Sequence, residues 1–266
     1  MRYSIIAFLL IVLGAYRLAS CSGDAGASHI GPHAPDRPMP KEATDSVQLT
    51  FSDVHYWSEA GYFNVVGLAN NTDYRWRRMW VRITPLDAGG QPLSVDKQPG
   101  VVVPVMADAV PPRGRSSFFA SIPLDKIDGT PADCRLGTAG VTEVESGPIL
   151  IPAEISGVRI LVHPEGGGEP RETGWTTRVS VTNPLPFEAR HPCLEALVYG
   201  KDGKLWYSQL LDPLVDSTVV MQEYPGPIPA EGSKWMAFNI SYQGLPQALR
   251  DSLIRNVDIQ CFNKRD

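Results

Sequence analysis

From residue 46 onward the chain is built of short stretches in which apolar and polar residues alternate, broken by Gly, Pro, Asn and Asp. Val66-Gly67-Leu68-Ala69-Asn70, Val81-Arg82-Ile83-Thr84 and Thr177-Arg178-Val179-Ser180-Val181-Thr182-Asn183 all repeat with a period of two. That is the period of a strand with one face buried. Two of these runs end at Asn, whose side chain caps a turn and tolerates the left-handed region. Ala88-Gly89-Gly90-Gln91 and Lys201-Asp202-Gly203-Lys204 read as hairpin turns. Helical spacing occurs only around Gln243–Arg255, where Leu245, Leu249, Leu253 and Ile254 share a face, and a short crossover helix is predicted there. The stretch 125–137, with Gly129 and Pro131, is predicted to be a loop.

The pattern occurs twice. Phe51-Ser52-Asp53-Val54 matches Ile155-Ser156-Gly157-Val158, Val66-x-Leu68-x-Asn70 matches Val179-x-Val181-x-Asn183, and Gly90 matches Gly203. From residue 61 to 90 the offset is a constant 113. Pro111-x-x-Gly114 and Pro229-x-x-Gly232 then match at 118, as a loop insertion in the second copy would produce. Before residue 61 the offset is 104, so the first hairpin of the second copy is longer and takes in Gly166-Gly167-Gly168. A repeat this long is a duplicated domain, not a solenoid unit. Short strands at regular spacing predict an all-β chain of two tandem antiparallel β-sandwich domains, at 46–146 and 149–266, meeting near Gly147-Pro148.

The N-terminus is of another kind. Ile5 to Ala15 is an unbroken apolar run behind Arg2, too short for a spanning helix, which needs about 20 such residues. It suits the apolar core of a secretory signal. The run leads into Leu18-Ala19-Ser20-Cys21. This resembles the lipobox of bacterial lipoproteins: Leu, two small residues that fit a peptidase cleft, and a Cys whose thiol is the nucleophile for lipidation. The resemblance implies removal of residues 1–20 as a signal peptide and acyl anchoring through Cys21. Each buried methylene of such chains contributes about 0.8 kcal/mol. Ser22 follows the cysteine, which in a host with two membranes resembles the outer-membrane sorting pattern, facing the periplasm or the surface. Residues 21–45, rich in small residues, Pro and charge, have the composition of a flexible linker.

Composition narrows the functional classes. Losing Arg2 and Arg17 with the signal takes the formal charge from −5 to −7, which argues against a nucleic-acid partner. Gly and Pro number 24 each, favouring turns over long helices. With Cys21 lipidated, Cys134, Cys193 and Cys261 remain, so at least one is unpaired. Cys193 and Cys261 share a copy and form the candidate disulfide outside the cytoplasm; three free thiols are the alternative.

Each copy resembles the FxLYD-type immunoglobulin-like domains of secreted bacterial proteins. The resemblance rests on a strand ending in Asn and a second strand with a following Gly turn. That second strand is Ile83-x-Pro85-Leu86-Asp87-x-x-Gly90 in one copy and Ala196-x-Val198-Tyr199-Gly200-x-x-Gly203 in the other. A late Gly before aromatic residues completes it, at Gly114 with Phe118 and Phe119, and at Gly232 with Trp235 and Phe238. Of the signature letters only Asp87 and Tyr199 are kept. The resemblance implies an immunoglobulin-like fold and brings no catalytic residue with it.

A search for chemistry returns little. His29, His33, His55, His163 and His191 stand in no metal-ligand spacing, and there is no nucleophile elbow or phosphate loop, so no metal, cofactor or enzymatic activity is expected. Arg113-Gly114-Arg115 reads as an anion site or a solvated turn. The main candidate surface is Arg75, Trp76, Arg77, Arg78 and Trp80, where cations alternate with aromatics, the residue types of interface hot spots. The alternative is that both tryptophans pack under a sandwich edge while the arginines solvate it. Trp206-Tyr207 is a similar, weaker candidate. The expected function is a non-catalytic, lipid-anchored envelope protein that binds another envelope protein, or else a glycan or peptidoglycan through exposed Trp and Arg; the third reading is an envelope enzyme with acidic residues converging between the domains.

Overall fold

The computed structural model describes residues 37–44, 46–145, 149–151, 153–163, 171–200, 202–211, 221–223, 227–241 and 256–264. Side chains are described at 37–44, 46–145, 180–190, 194–200, 202–208, 210 and 227–235. The predicted helix around Gln243–Arg255, Gly166–Gly168, Cys21 and the two linker histidines lie outside the described residues.

The strands of the first half are β1 (Thr50–Glu59), β2 (Tyr62–Asn70), β3 (Trp76–Leu86), β4 (Val101–Pro104), β5 (Arg115–Pro123) and β6 (Asp133–Val144). Those of the second are β7 (Ile149–Ile151), β8 (Ala153–His163), β9 (Arg171–Thr182), β10 (His191–Tyr199), β11 (Leu205–Leu211), β12 (Met221–Glu223), β13 (Ser233–Ser241) and β14 (Asn256–Lys264). A single 3-10 turn, Leu124–Lys126, interrupts the stretch expected to be a loop, and β6 already begins at Asp133 within it.

The chain is an all-β, sandwich-like structure of antiparallel sheets. The first half pairs β1-β2-β5 in one sheet and β4-β3-β6 in the other. The second pairs β8-β9-β13, extended by β12, and β11-β10-β14, extended by β7. The two strand orders are the same. In the first half β1-β2-β5 and β4-β3-β6 close over one core. Phe63 and Val65 of β2, Met79, Val81 and Ile83 of β3, Phe118 and Ala120 of β5 and Val141 of β6 meet there. Their spacing of two is the strand period, so the inward face of each strand is apolar. Gly67 is required by this packing, because a Cβ there would lie 2.7 Å from the Phe118 ring.

Two features depart from the sequence reading. The expected linker, residues 21–45, is docked from Arg37 onward. The Arg37 guanidinium donates to the carbonyl of Ala107 at 2.9 Å, and the Trp80 indole N–H donates to the Arg37 carbonyl at 3.0 Å. Thr44 bridges Val141 in an antiparallel pair. Met39 and Ala43 lie on Gly140, where a Cβ would come within 2.5 Å of the Met39 sulfur. This strap runs beside β6 much as β7 runs beside β14.

The second departure is one of register. Val110 and Arg77 exchange backbone hydrogen bonds, as Ile228 and Ala189 do, and Asn71 N–H donates to Gly114 as Asn183 N–H donates to Gly232. The partner of Asn183 in the first half is therefore Asn71, where the unbroken alignment had placed Asn70. One step in a strand exchanges its two faces. The positions equivalent to Val66 and Leu68 are thus Arg178 and Ser180, by the cross-strand pairs Val66↔Phe119, Leu68↔Ser117, Arg178↔Ala237 and Ser180↔Trp235.

Candidate functional site

The Arg- and Trp-rich run lies at the start of β3 and is largely committed to its own fold. Trp80 is only 1% exposed, beneath the strap, so it is a core residue and cannot be the exposed anchor expected of it. The arginines bind carboxylates of the same half: Arg75 pairs with Glu143, Arg77 with both Asp73 and Glu143, and Arg78 with Asp108 at 3.2 Å. Asp108 also binds Arg37 at 3.3 Å, which ties the strap to this cluster. Hydrogen bonding to Arg77 holds the Asp73 carboxyl below the usual carboxylate range. Trp76 is half-buried. Tyr74, just before the run, is 77% exposed and stacks under the Arg113 guanidinium at 4.2 Å, so Arg113 serves as its cover.

The loops leaving β2 and β9 are held by equivalent asparagines. The Asn71 amide, 2% exposed, donates to the carbonyls of Arg75, Val110 and Pro111 at 2.8, 3.2 and 2.9 Å. Its oxygen accepts the Asp73 N–H at 3.1 Å. Asn183 does the same with Phe187, Ile228 and Pro229, and accepts from Leu185. Arg113 and Glu231 sit at φ 58° and 51° in the turn each asparagine braces. These are structural brackets: each amide ties the carbonyl of a loop residue, Arg75 or Phe187, to two carbonyls that already accept backbone N–H groups.

The most unusual chemistry lies where the halves meet. Seven consecutive residues of β2, Phe63–Ala69, are buried, because the second face of the strand is covered by the second half. Val66, Leu68, Met106 and Phe119 from one side join Leu197 and Leu205 from the other in a second apolar core. Glu195 stands inside this contact, completely buried. Its carboxyl accepts the backbone N–H and the hydroxyl of Ser117, and the Ser116 hydroxyl lies 3.2 and 3.1 Å from its two oxygens. Burial raises the carboxyl to about 7 against the opposing pull of the serine hydrogen bonds and of Arg115. At the edge of the contact His55 stacks on Trp57 (5.5 Å between centroids) and meets Trp206 edge-on (4.1 Å). Burial, aided by Lys204, lowers the His55 imidazole, and Asp202 opposes this. Trp206, read as a surface candidate, is thus part of the joint, and Tyr207 is buried.

Cys193 and Cys261 lie on adjacent strands, Cys193 opposite Phe262 and Cys261 opposite Leu194, one position out of direct register; their side chains are outside those described. Cys134 is free and half-buried, its thiol pushed up to about 12 by burial, with Asp133 adding to the effect. Among the described residues no three His, Cys, Asp or Glu gather as a metal site requires, and no helix is long and apolar enough to cross a membrane.

Glu195 escaped the sequence reading, although a signal exists. Cys193-Leu194-Glu195-Ala196-Leu197-Val198-Tyr199 carries a single charge in an otherwise apolar strand. Charged residues are almost never fully buried without partners, so a carboxylate in that setting marks a specific contact.

No protein-family model and no curated protein matches the chain. Among solved structures, the crystal structure of red sea bream transglutaminase is similar over 73% of this chain and 27% of that one, with 12% identity and a TM-score of 0.23. A likeness of that order carries no argument about function.

Proposed function

We propose that this chain is a non-catalytic lipoprotein of a bacterial cell envelope, anchored through Cys21, whose paired sandwich domains serve as a protein-interaction or assembly module. The observation that carries the reading is Leu18-Ala19-Ser20-Cys21 directly after the apolar run Ile5–Ala15. An immunoglobulin-like sandwich pair whose arginines and asparagines brace its own loops is consistent with a scaffold more than with a catalyst. Tyr74, Phe187 and Trp235, which remain 77%, 46% and 46% exposed, replace Trp80 as the aromatic surface a partner would meet. The glycan-binding alternative, framed on Trp76 and Trp80, is weakened by the loss of Trp80 to the core.

Two measurements test the proposal. Radiolabelled palmitate is expected to label the wild-type chain and not Cys21→Ala, and the variant is expected to leave the membrane fraction. Cross-linking in intact cells is expected to trap an envelope protein with the wild type, and the yield to fall in Tyr74→Ala. Equal labelling of both chains removes the anchor; a partner set unchanged in Cys21→Ala and Tyr74→Ala removes the module.

A further inference from the structure

We propose that the joint between the two halves is a pH-sensitive latch, tight while the Glu195 carboxyl is neutral and loosened when it ionises. The geometry requires a choice of charge state. Glu195 projects from β10 into a contact otherwise formed by Val66, Leu68, Phe119, Leu197 and Leu205. A neutral carboxyl satisfies that setting, because it accepts from Ser117 and can give its own proton to a serine oxygen. Among the described residues, an ionised one has hydrogen-bond donors and only the half-buried Arg115 charge to offset its lost hydration.

The groups around it are few. From β5 it meets Ser116, Ser117 and the charge of Arg115, and Leu68 lies opposite Ser117 on β2. On its own sheet, Leu210 of β11 and Gln260 of β14 flank it, and neither is ionisable. Ser116 is itself anchored, its oxygen accepting the Ala107 N–H at 2.9 Å, so the donors cannot simply turn away. His55 is the second titratable group of the joint, faced by Lys204 and Asp202 from the turn between β10 and β11.

The two groups act in opposite senses. A carboxyl raised on docking to about 7 contributes fully below its ordinary value of 4.5, and its contribution is lost as pH rises through about 7. An imidazole lowered from 6.5 contributes above that value and loses it as pH falls. Glu195 therefore sets the loosening toward alkaline pH, and His55 moderates the gain on the acid side. Each pH unit between the carboxyl's free and docked values changes the docking constant up to about tenfold, so from pH 5 to 8 the joint weakens by up to roughly a hundredfold.

The test is hydrogen–deuterium exchange on the full chain in detergent at pH 5 and pH 8, corrected for intrinsic exchange and read on peptides covering 62–70, 115–123 and 205–211. The wild type is expected to lose protection at pH 8 by up to roughly a hundredfold. Glu195→Gln, which keeps an acceptor for Ser117 and cannot ionise, is expected to be protected alike at both values. Equal wild-type protection at the two pH values, or the same loss in Glu195→Gln, overturns the latch. Isotope-edited infrared spectroscopy of the wild type serves if the variant does not fold. A protonated glutamic-acid band surviving above pH 6 supports the proposal, and its complete disappearance by pH 5 overturns it.

Discussion

The two halves share their brackets and differ on their outer faces. Asn71 and Asn183 make the same set of hydrogen bonds, and Gly90 and Gly203 sit at φ 77° and 74° in equivalent turns. At the positions of the joint the similarity ends. Val66, Leu68 and Phe119 of the first half correspond to Arg178, Ser180 and Ala237 in the second. Hydrogen-bonded turn geometry thus belongs to the fold and recurs wherever the fold recurs. The apolar set at the joint belongs to one particular contact and is not repeated at the equivalent positions of the second half.

The comparison can be broken most forcefully at the joint. Phe119→Ala empties part of the second core and is expected to cost about 3–5 kcal/mol in chemical denaturation while separating the halves. Trp235→Ala, at the position equivalent to Ser117 and 46% exposed, is expected to cost about 1 kcal/mol or less. Similar losses from the two would mean that the outer faces are not specialised.

Next come the brackets. Asn71→Ala and Asn183→Ala each remove a buried amide that ties three carbonyls together and are expected to cost about 1–3 kcal/mol apiece, the same in both halves within error. A large cost in one and none in the other would deny them a common role. The smallest effect belongs to the surface pair: Arg75→Ala, which releases a well-exposed Glu143, is expected to change stability by under about 1 kcal/mol. Finally, Cys134 should resist iodoacetamide at pH 8 until the chain is denatured, because a thiol held near 12 is almost entirely protonated. Peptide mass spectrometry of the native and unfolded chain reads this directly.

The strand character, the turns and the repeated order of elements were legible in the chain because they depend on neighbours a few residues apart. The repeat register was not. Asn70 and Asn71 both satisfy a strand ending in Asn, and because Phe63–Ala69 is buried on both faces, the alternation over Val66–Asn70 does not mark which face is inward. For Trp80 the sequence leaves an exposed surface and a packed edge both open, and the structure takes the second. The alternation of Trp80 with arginines suggests an exposed face, but its indole bonds the Arg37 carbonyl, 43 positions earlier in a stretch with the composition of a linker. Glu195 is a purely long-range feature, its partners Ser116 and Ser117 lying 79 and 78 positions earlier. No local pattern announces which serine a buried carboxyl will find.

The unequal outer faces have a consequence for assembly. A contact between different surfaces of two related units is heterologous, and repeated without closure it propagates into a filament. Here the first half offers an apolar face and the second occupies it, while the equivalent positions of the second half are Arg178, Ser180 and Ala237. The second half therefore does not repeat the set of residues that makes this contact. In that light the difference between the halves works against open-ended polymerisation, because the residue set that makes the joint is not duplicated.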